Sequence, residues 1–463
     1  MARIVPNLLS AYQARLINPV ILEFDTLAHA TDLFSTLSEM AASSYLTSFS
    51  SPVDFQSMRG GLGFGLRSGT NVSSVSSTSR PHAFDRIASR FQNTLISMKF
   101  LSRMKMIALP LHPDYLDEVS GWSEVTTIYE DKLQFIFQSL PPSQVFTSRK
   151  NKRFSTTYYT KQLIGADIAN QEGFDGSGIT VAVPDTGGAP THEQNFGMKF
   201  YSCMKENGQF KDTNGHGEWC VSCIGGKHVD ERTMNVPVEG MAPQCTLIGI
   251  KCLGFLIGTG FQSDIIEAME YAMTQNADIV SMSLGSNSMP ASPQDDPQIK
   301  CVDQMVAQDI IPVIAAGNSG PNGSTIGTPG CAPNALTVGA WDEIAGQIAS
   351  FSSRGPTTWG EIKPDVIAPG VNIYSGCVGL LDVVGDALPN RYSILSGTSM
   401  ATPHVAGLLA CVRQYYKSLG KILTVNLVKT IAQTYGHSKN NDEGWGFIKY
   451  DWFKQYAQSQ GWA

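Results

Sequence analysis

The stretch Gly397-Thr398-Ser399-Met400-Ala401-Thr402-Pro403-His404-Val405-Ala406-Gly407 sets a serine at the opening of a helix. A helix start directs unpaired N–H groups and a positive dipole end at developing negative charge. Pro403 suits such a place, because first-turn N–H groups lack intrahelical partners anyway. Gly397 leaves space for a second backbone to come close. A serine hydroxyl is a poor nucleophile until a base takes its proton, so the stretch calls for a base elsewhere in the chain. Asn214-Gly215-His216-Gly217 offers one: a histidine between glycines, again opening a helix. Gly215, like Gly397, is expected to admit substrate backbone. Val183-Pro184-Asp185-Thr186-Gly187 places a carboxylate just past an apolar strand, where a buried Asp can fix the imidazole tautomer and stabilise the imidazolium.

Around these segments, strands and helices alternate. Ile179 to Val183, Thr246 to Ile250, Ile279 to Leu284 and Pro312 to Ala316 read as short apolar strands. Between them, Ile265, Ile266, Met269, Ala272 and Met273 recur at helical spacing behind a Ser263 cap, and Ile299, Val302 and Val306 mark a second helix. The pattern predicts an α/β fold with a doubly wound, mostly parallel sheet, whose ligands bind beyond the carboxyl ends of the strands.

The N-terminal third reads differently. Val20 to Phe24 alternates as a strand, and Thr31 to Ser43 carries Leu33, Phe34, Leu37 and Met40 at helical spacing. Met104 to Leu109 reads as a strand, Pro113 to Gly121 as a short helix and Val125 to Phe135 as a final strand. A Gly/Ser-rich stretch, Arg59 to Ser79, separates the halves and predicts a flexible loop. Two such halves make a small α+β sandwich.

Composition narrows the classes. The chain has 463 residues, 42% hydrophobic and 16% charged, with net charge −7, which suits a globular chain of two to three domains. Mild acidity gives no reason to expect nucleic acid or an anionic membrane as partner, although Arg149, Lys150, Lys152 and Arg153 form a local basic run. No apolar run approaches the ~20 residues that span a bilayer, and Met1 to Ser10 lacks a signal-peptide core, which tips the expectation slightly from export toward the cytoplasm. The nine cysteines all lie between Cys203 and Cys411 in apolar or small-residue surroundings, and are expected to be mostly reduced.

The three chemical segments, in the order Asp, His, Ser, resemble the subtilisin-like family of serine peptidases. The likeness runs from Gly178 to Lys454, through Gly444-Trp445-Gly446-Phe447-Ile448, which is similar to the family's closing strand. The resemblance implies a serine endopeptidase with a catalytic triad of Asp185, His216 and Ser399. It implies an oxyanion hole of the Asn318 amide and the Ser399 N–H, and two substrate-binding walls, Ser283-Leu284-Gly285 and Ala315-Ala316-Gly317. Gly327 resembles the pocket floor, left deep by its missing side chain. With Ser319 where some relatives carry an acid, a large apolar or neutral side chain is expected before the scissile bond. Thr328-Pro329 resembles the family's cis peptide.

The resemblance also implies a ferredoxin-like prodomain that assists folding and inhibits the enzyme. The expected layout is an N-terminal extension (1–17), a prodomain (18–138) with the insertion near 59–79, a linker with the processing site (139–158) and a catalytic domain (159–463). The partners expected are a polypeptide substrate and the chain's own prodomain, acting within a monomer. The chemistry needs no cofactor. Structural calcium is common in the family, but no calcium loop maps onto this sequence, so metal ligands stay unassigned. The alternative is a silent scaffold that keeps the fold without turnover.

Two departures stand out. Where the family continues its His segment with Thr-His-Val, this chain has Glu218-Trp219-Cys220, and Gly188 replaces an apolar residue after Asp-Thr-Gly. Cys220 falls one helical turn after His216 and resembles the modulating thiol of the family's thiol-dependent branch.

Overall fold

A computed structural model describes residues 3–4, 18–35, 98–111, 116–137, 154–204, 211–254, 258–384 and 390–463. The expected Arg59–Ser79 loop, the basic run at 149–153 and most of the expected linker lie outside the described residues, as do Leu37 and Met40. The chain divides into two compact units, Met1–Lys132 and Leu133–Ala463.

In the first unit, Asn18–Phe24 pairs antiparallel with both Met106–Leu111 and Val125–Glu130, and Lys99–Leu101 pairs with Met106–Leu111. Residues 27–35 are helical, as is Leu116–Ser120. Val20, Leu22, Ile107, Leu109 and Ile128 form an apolar cluster with Leu33 and Val119 from the helices. Arg3–Ile4, expected to be part of an extension, forms a parallel edge strand on Val125–Glu130.

The expected final strand, Val125 to Phe135, is two strands. Val125–Glu130 stays with the first sheet, whereas Leu133–Ile136 pairs with Thr259–Phe261 and Leu284–Gly285 in the second unit. The two compact units therefore meet at Lys132–Leu133, because the backbone bonds of the later residues go to a different sheet.

In the second unit the central strands run Leu336–Asp342, Ile311–Ala315, Ile279–Met282, Thr180–Asp185, Thr246–Lys251 and Lys199–Ser202, all parallel. Val366–Pro369 adds in parallel and Gln347–Ile348 antiparallel at the Leu336–Asp342 edge. Thr180–Asp185 is almost wholly buried, which explains its unbroken apolar run. The helix Thr398–Ser418 is buried over most of its length and shares one core with Val181, Val183, Val313 and Val338.

Details differ from the sequence reading. Phe261, not Ser263, precedes the helix Gln262–Thr274; its N–H donates to Asp264 Oδ2 at 2.7 Å, a bond from the third helical residue back to the residue before the helix. Leu284 lies in a separate short strand from Ile279–Met282. Gly444–Ile448 contributes isolated bridges, Phe447 to Ile367 and Gly444 to Asn440, and no strand. All nine cysteines are buried.

At the sheet edge, Lys363 and Asp365 are both fully buried, 2.7 Å apart. Lys439 reaches the other Asp365 oxygen at 2.7 Å, and Lys429 stands 3.8 Å away. Burial alone would raise the Asp365 pKa, but the three ammonium groups outweigh it and hold the carboxyl well below the usual range. Its stabilising contribution is therefore complete above the unfolded value of about 4 and is lost as pH falls toward the folded value. Asp365→Asn leaves Lys363 buried with its main counter-charge gone; the expected cost is about 3–5 kcal/mol, read as a lower unfolding midpoint at neutral pH.

Candidate active site

Asp185 ends its strand and His216 begins the helix His216–Gly225. Their side chains are buried and joined, with His216 Nδ1 lying 2.8 Å from Asp185 Oδ1 and 3.0 Å from Oδ2. The Thr186 N–H donates to Asp185 Oδ1 at 2.7 Å, which fixes the carboxylate. Asp212 caps the His216 helix: Oδ1 accepts from the Gly215 and Asn214 N–H groups and Oδ2 from that of Glu218. Gly215 has φ +105°, and a Cβ there would overlap the Val378 carbonyl. Its missing side chain thus serves internal packing, not the substrate approach expected of it.

Ser399 is the second residue of its helix. Pro403 lies beyond the first turn, contrary to expectation, and so leaves the Ser399 carbonyl without its usual helical N–H. That carbonyl accepts instead from Ser283 Oγ at 3.0 Å, with Cys220 Sγ at 3.8 Å. The proline thereby frees an acceptor that ties the serine to one cleft wall.

The strand Leu133–Ile136 is the centre of a three-stranded antiparallel sheet, with Leu284–Gly285 of one expected wall on one side and Thr259–Phe261 on the other. Leu284 pairs with Ile136 and Gly285 with Phe135 on one side, while Thr259, Gly260 and Phe261 pair on the other. Phe137 follows, buried, and its N–H donates to Ser283 O at 3.5 Å. A Cβ at Gly285 would lie 2.7 Å from Phe137 Cζ, and one at Gly317 3.6 Å from Phe137 Cε1. These two glycines flank the Phe137 ring. Ala315 and Ala316 are buried behind Gly317. At Gly327, expected as the pocket floor, a Cβ would strike the Ser286 carbonyl, so the glycine permits close backbone contact there. The Thr328–Pro329 peptide is cis.

Phe137 O accepts from Asn318 Nδ2 and from Ser399 Oγ, each at 3.0 Å. Ser399 Oγ also lies 3.1 Å from Ser283 O. The Ser399 backbone N–H, expected to share the oxyanion role, makes no hydrogen bond to this oxygen in the present arrangement. Asn318 is held by a residue that the sequence reading missed: Thr398 donates to Asn318 Oδ1 from both N and Oγ1 at 2.9 Å. With Oδ1 so engaged, Nδ2 must face the cleft. A Cβ at Gly397 would lie 3.1 Å from Asn318 Nδ2 and 3.3 Å from Phe137 O, so that glycine does make room at the site. Thr398 stood in plain sight beside Ser399; its tie to Asn318 spans eighty residues and left no local signal.

This geometry accords with a peptidase cleft, and comparison with known proteins decides the family. The Subtilase family profile matches residues 176–446. The chain belongs to the subtilase family. This subtilase is 34% identical over 320 residues to serine protease AprX of Bacillus subtilis, covering 65% of this chain and 70% of that protein. It is 34% identical to subtilisin DY of Bacillus licheniformis over 285 residues, covering 61% of this chain and 94% of the relative. It is 38% identical to pyrolysin of Pyrococcus furiosus over 224 residues, 42% of this chain and 15% of that longer protein. The subtilase is a serine-type endopeptidase acting on polypeptides, and the silent-scaffold alternative is not favoured. No helix among its described residues is long and apolar enough to cross a membrane.

Asp185, His216 and Cys220 also offer ligand atoms within 4.8 Å of one another. The Asp185 oxygens already engage His216 Nδ1, and burial pushes the Cys220 thiol well above its ordinary pKa. The set is thus better suited to a hydrogen-bonded pair with a neutral thiol beside it, Sγ lying 3.9 Å from Nδ1. His404, bonded to Met400 O and Thr160 Oγ1, is lowered by burial to about 4 and stays neutral in its packing role.

Proposed function

We propose that Ser399 is the nucleophile, His216 its base and Asp185 the residue that orients His216. Asn318 stabilises the oxyanion, and the chain's own Leu133–Phe137 strand is a substrate-like inhibitor of this cleft. The single observation that carries this is the Phe137 carbonyl, whose oxygen accepts from both Asn318 Nδ2 and Ser399 Oγ. His216 Nε2 is buried without a partner among the described residues, so it is available to the Ser399 proton once the hydroxyl turns from Ser283 O and Phe137 O. Attack on the carbonyl carbon then moves the proton to His216 and charge onto the carbonyl oxygen. His216 returns the proton to the leaving amine, and water releases the acyl group. No cofactor takes part. A fluorophosphonate probe tests the assignment: labelling at Ser399 supports it, and no labelling of a preparation freed of the cleft strand refutes it.

The same contact supports cleavage of the precursor at Phe137–Gln138, just N-terminal to the 139–158 window expected from sequence. The strand order of the first unit, antiparallel in its described pairings except that of Arg3–Ile4, supports a ferredoxin-like prodomain that delivers this strand, within a monomer. Phe137, flanked by Gly285 and Gly317, supports a preference for a large apolar residue before the scissile bond.

The inhibitor has a weak point. Gln134 is fully buried, and neither amide atom has a partner among the described residues. A buried unpaired amide costs roughly 1–3 kcal/mol. Gln134→Leu is therefore expected to hold the cleaved strand about 5–150-fold more tightly, seen as a longer lag before activity appears.

Cys220 is the modulating thiol of this scheme. A mercurial on its sulfur displaces His216, and more than about tenfold inactivation is expected, since ångström shifts at such a dyad cost up to ~10²-fold. Cys220→Ala should resist; full activity after verified modification of Cys220 contradicts the role.

A further inference from the structure

The two departures from the family pattern, Gly188 and Glu218, meet in space. After Asp185 the chain runs beside the first turn of the His216 helix, and successive residues are joined. His216 bonds Asp185, the Gly217 N–H donates to Thr186 Oγ1 at 2.9 Å, and the Ala189 N–H donates to Glu218 Oε2 at 2.6 Å. A Cβ at Gly217 would lie 2.3 Å from the Gly187 carbonyl, so the two segments are in direct contact. A Cβ at Gly188 would lie 2.6 Å from Met198 Cε and 3.6 Å from Glu218 Oε2, so the glycine leaves room for Met198 and lies beside the carboxyl.

The other Glu218 oxygen is braced from behind. Oε1 accepts from Asn195 Nδ2 at 2.7 Å, and Asn195 Nδ2 also reaches Ser222 Oγ at 2.7 Å. Glu218 is fully buried, and burial raises it to about 8, so the neutral carboxyl is the form to imitate at neutral pH. Removing the side chain would leave a buried N–H at Ala189 without its acceptor and the segment after Asp185 free to shift.

We propose that Glu218 is a positioning residue for peptide hydrolysis, holding the segment that carries Asp185 in register with the helix that carries His216. The proposal rests on the assignment of those two residues to the triad.

The test compares Glu218→Met, similar in length but without the acceptor, with Glu218→Gln. The amide oxygen of Gln can accept from Ala189, and its NH₂ can donate to Asn195 Oδ1 once that side chain turns; Oδ1 has no partner among the described residues. Activity on one peptide is measured with the full chain after maturation, per site titrated by fluorophosphonate. Glu218→Met is expected to lose about 10–100-fold in kcat with KM within about twofold, and Glu218→Gln to stay within about threefold of the parent. A folded Glu218→Met with parental kcat, or a Gln variant as impaired as Met, overturns the proposal. Should Glu218→Met not fold, Asn195→Ala reads the same quantity: a kcat loss at constant KM supports it and an unchanged kcat overturns it. Absence of fluorophosphonate labelling at Ser399 in the parent would instead overturn the triad assignment.

Discussion

Ser399→Ala is expected to abolish peptide hydrolysis, with a loss on the order of 10⁴–10⁶ in kcat; the upper figure is the one known for subtilisin. The magnitude is large because nucleophile and base act as a unit. Without the hydroxyl, His216 has no proton to take, and the remaining Asn318 amide can only polarise a carbonyl. Fold should survive, since the ties that position this turn, Thr398 to Asn318 and Ser283 to the Ser399 carbonyl, do not use the Ser399 hydroxyl. Peptide turnover and unfolding midpoint, measured on the same preparation, check both halves.

Asn318→Ala is expected to cost about 10²–10³ in kcat with little change in KM, again by a figure from subtilisin. Its Nδ2 is one of two donors on the Phe137 oxygen, and charge on that oxygen grows only as the carbonyl is attacked. The bond is therefore worth more in the transition state than in the bound substrate. Kinetics on a peptide with Phe before the scissile bond separate kcat from KM; a loss confined to KM would mean that Asn318 only helps substrate to bind.

Much of this site is legible in the sequence because its parts are local. Asp185 follows an apolar strand, and His216 and Ser399 open helices, so each side chain's place follows from the element it terminates. What could not be read is what depends on distant approach. Thr398 holds Asn318 across eighty residues, and Pro403 acts by releasing the Ser399 carbonyl to Ser283. The glycines divide likewise. Gly397, Gly285 and Gly317 face the occupied cleft, but Gly215 and Gly327 are required by neighbouring carbonyls. A sequence shows that a side chain is missing without showing what fills its place. Val125 to Phe135 misled for a related reason: two strands separated by Asp131 and Lys132 alternate like one, and only their partners reveal that they join different sheets.

Mass spectrometry of the purified full-length chain, wild type beside Ser399→Ala, tests the central claim most directly. The account predicts a wild-type fragment whose last residue is Phe137, paired with one beginning at Gln138, and an intact Ser399→Ala chain. A wild-type chain cut elsewhere with no fragment ending at Phe137, or the same cut in Ser399→Ala purified alone, would contradict it.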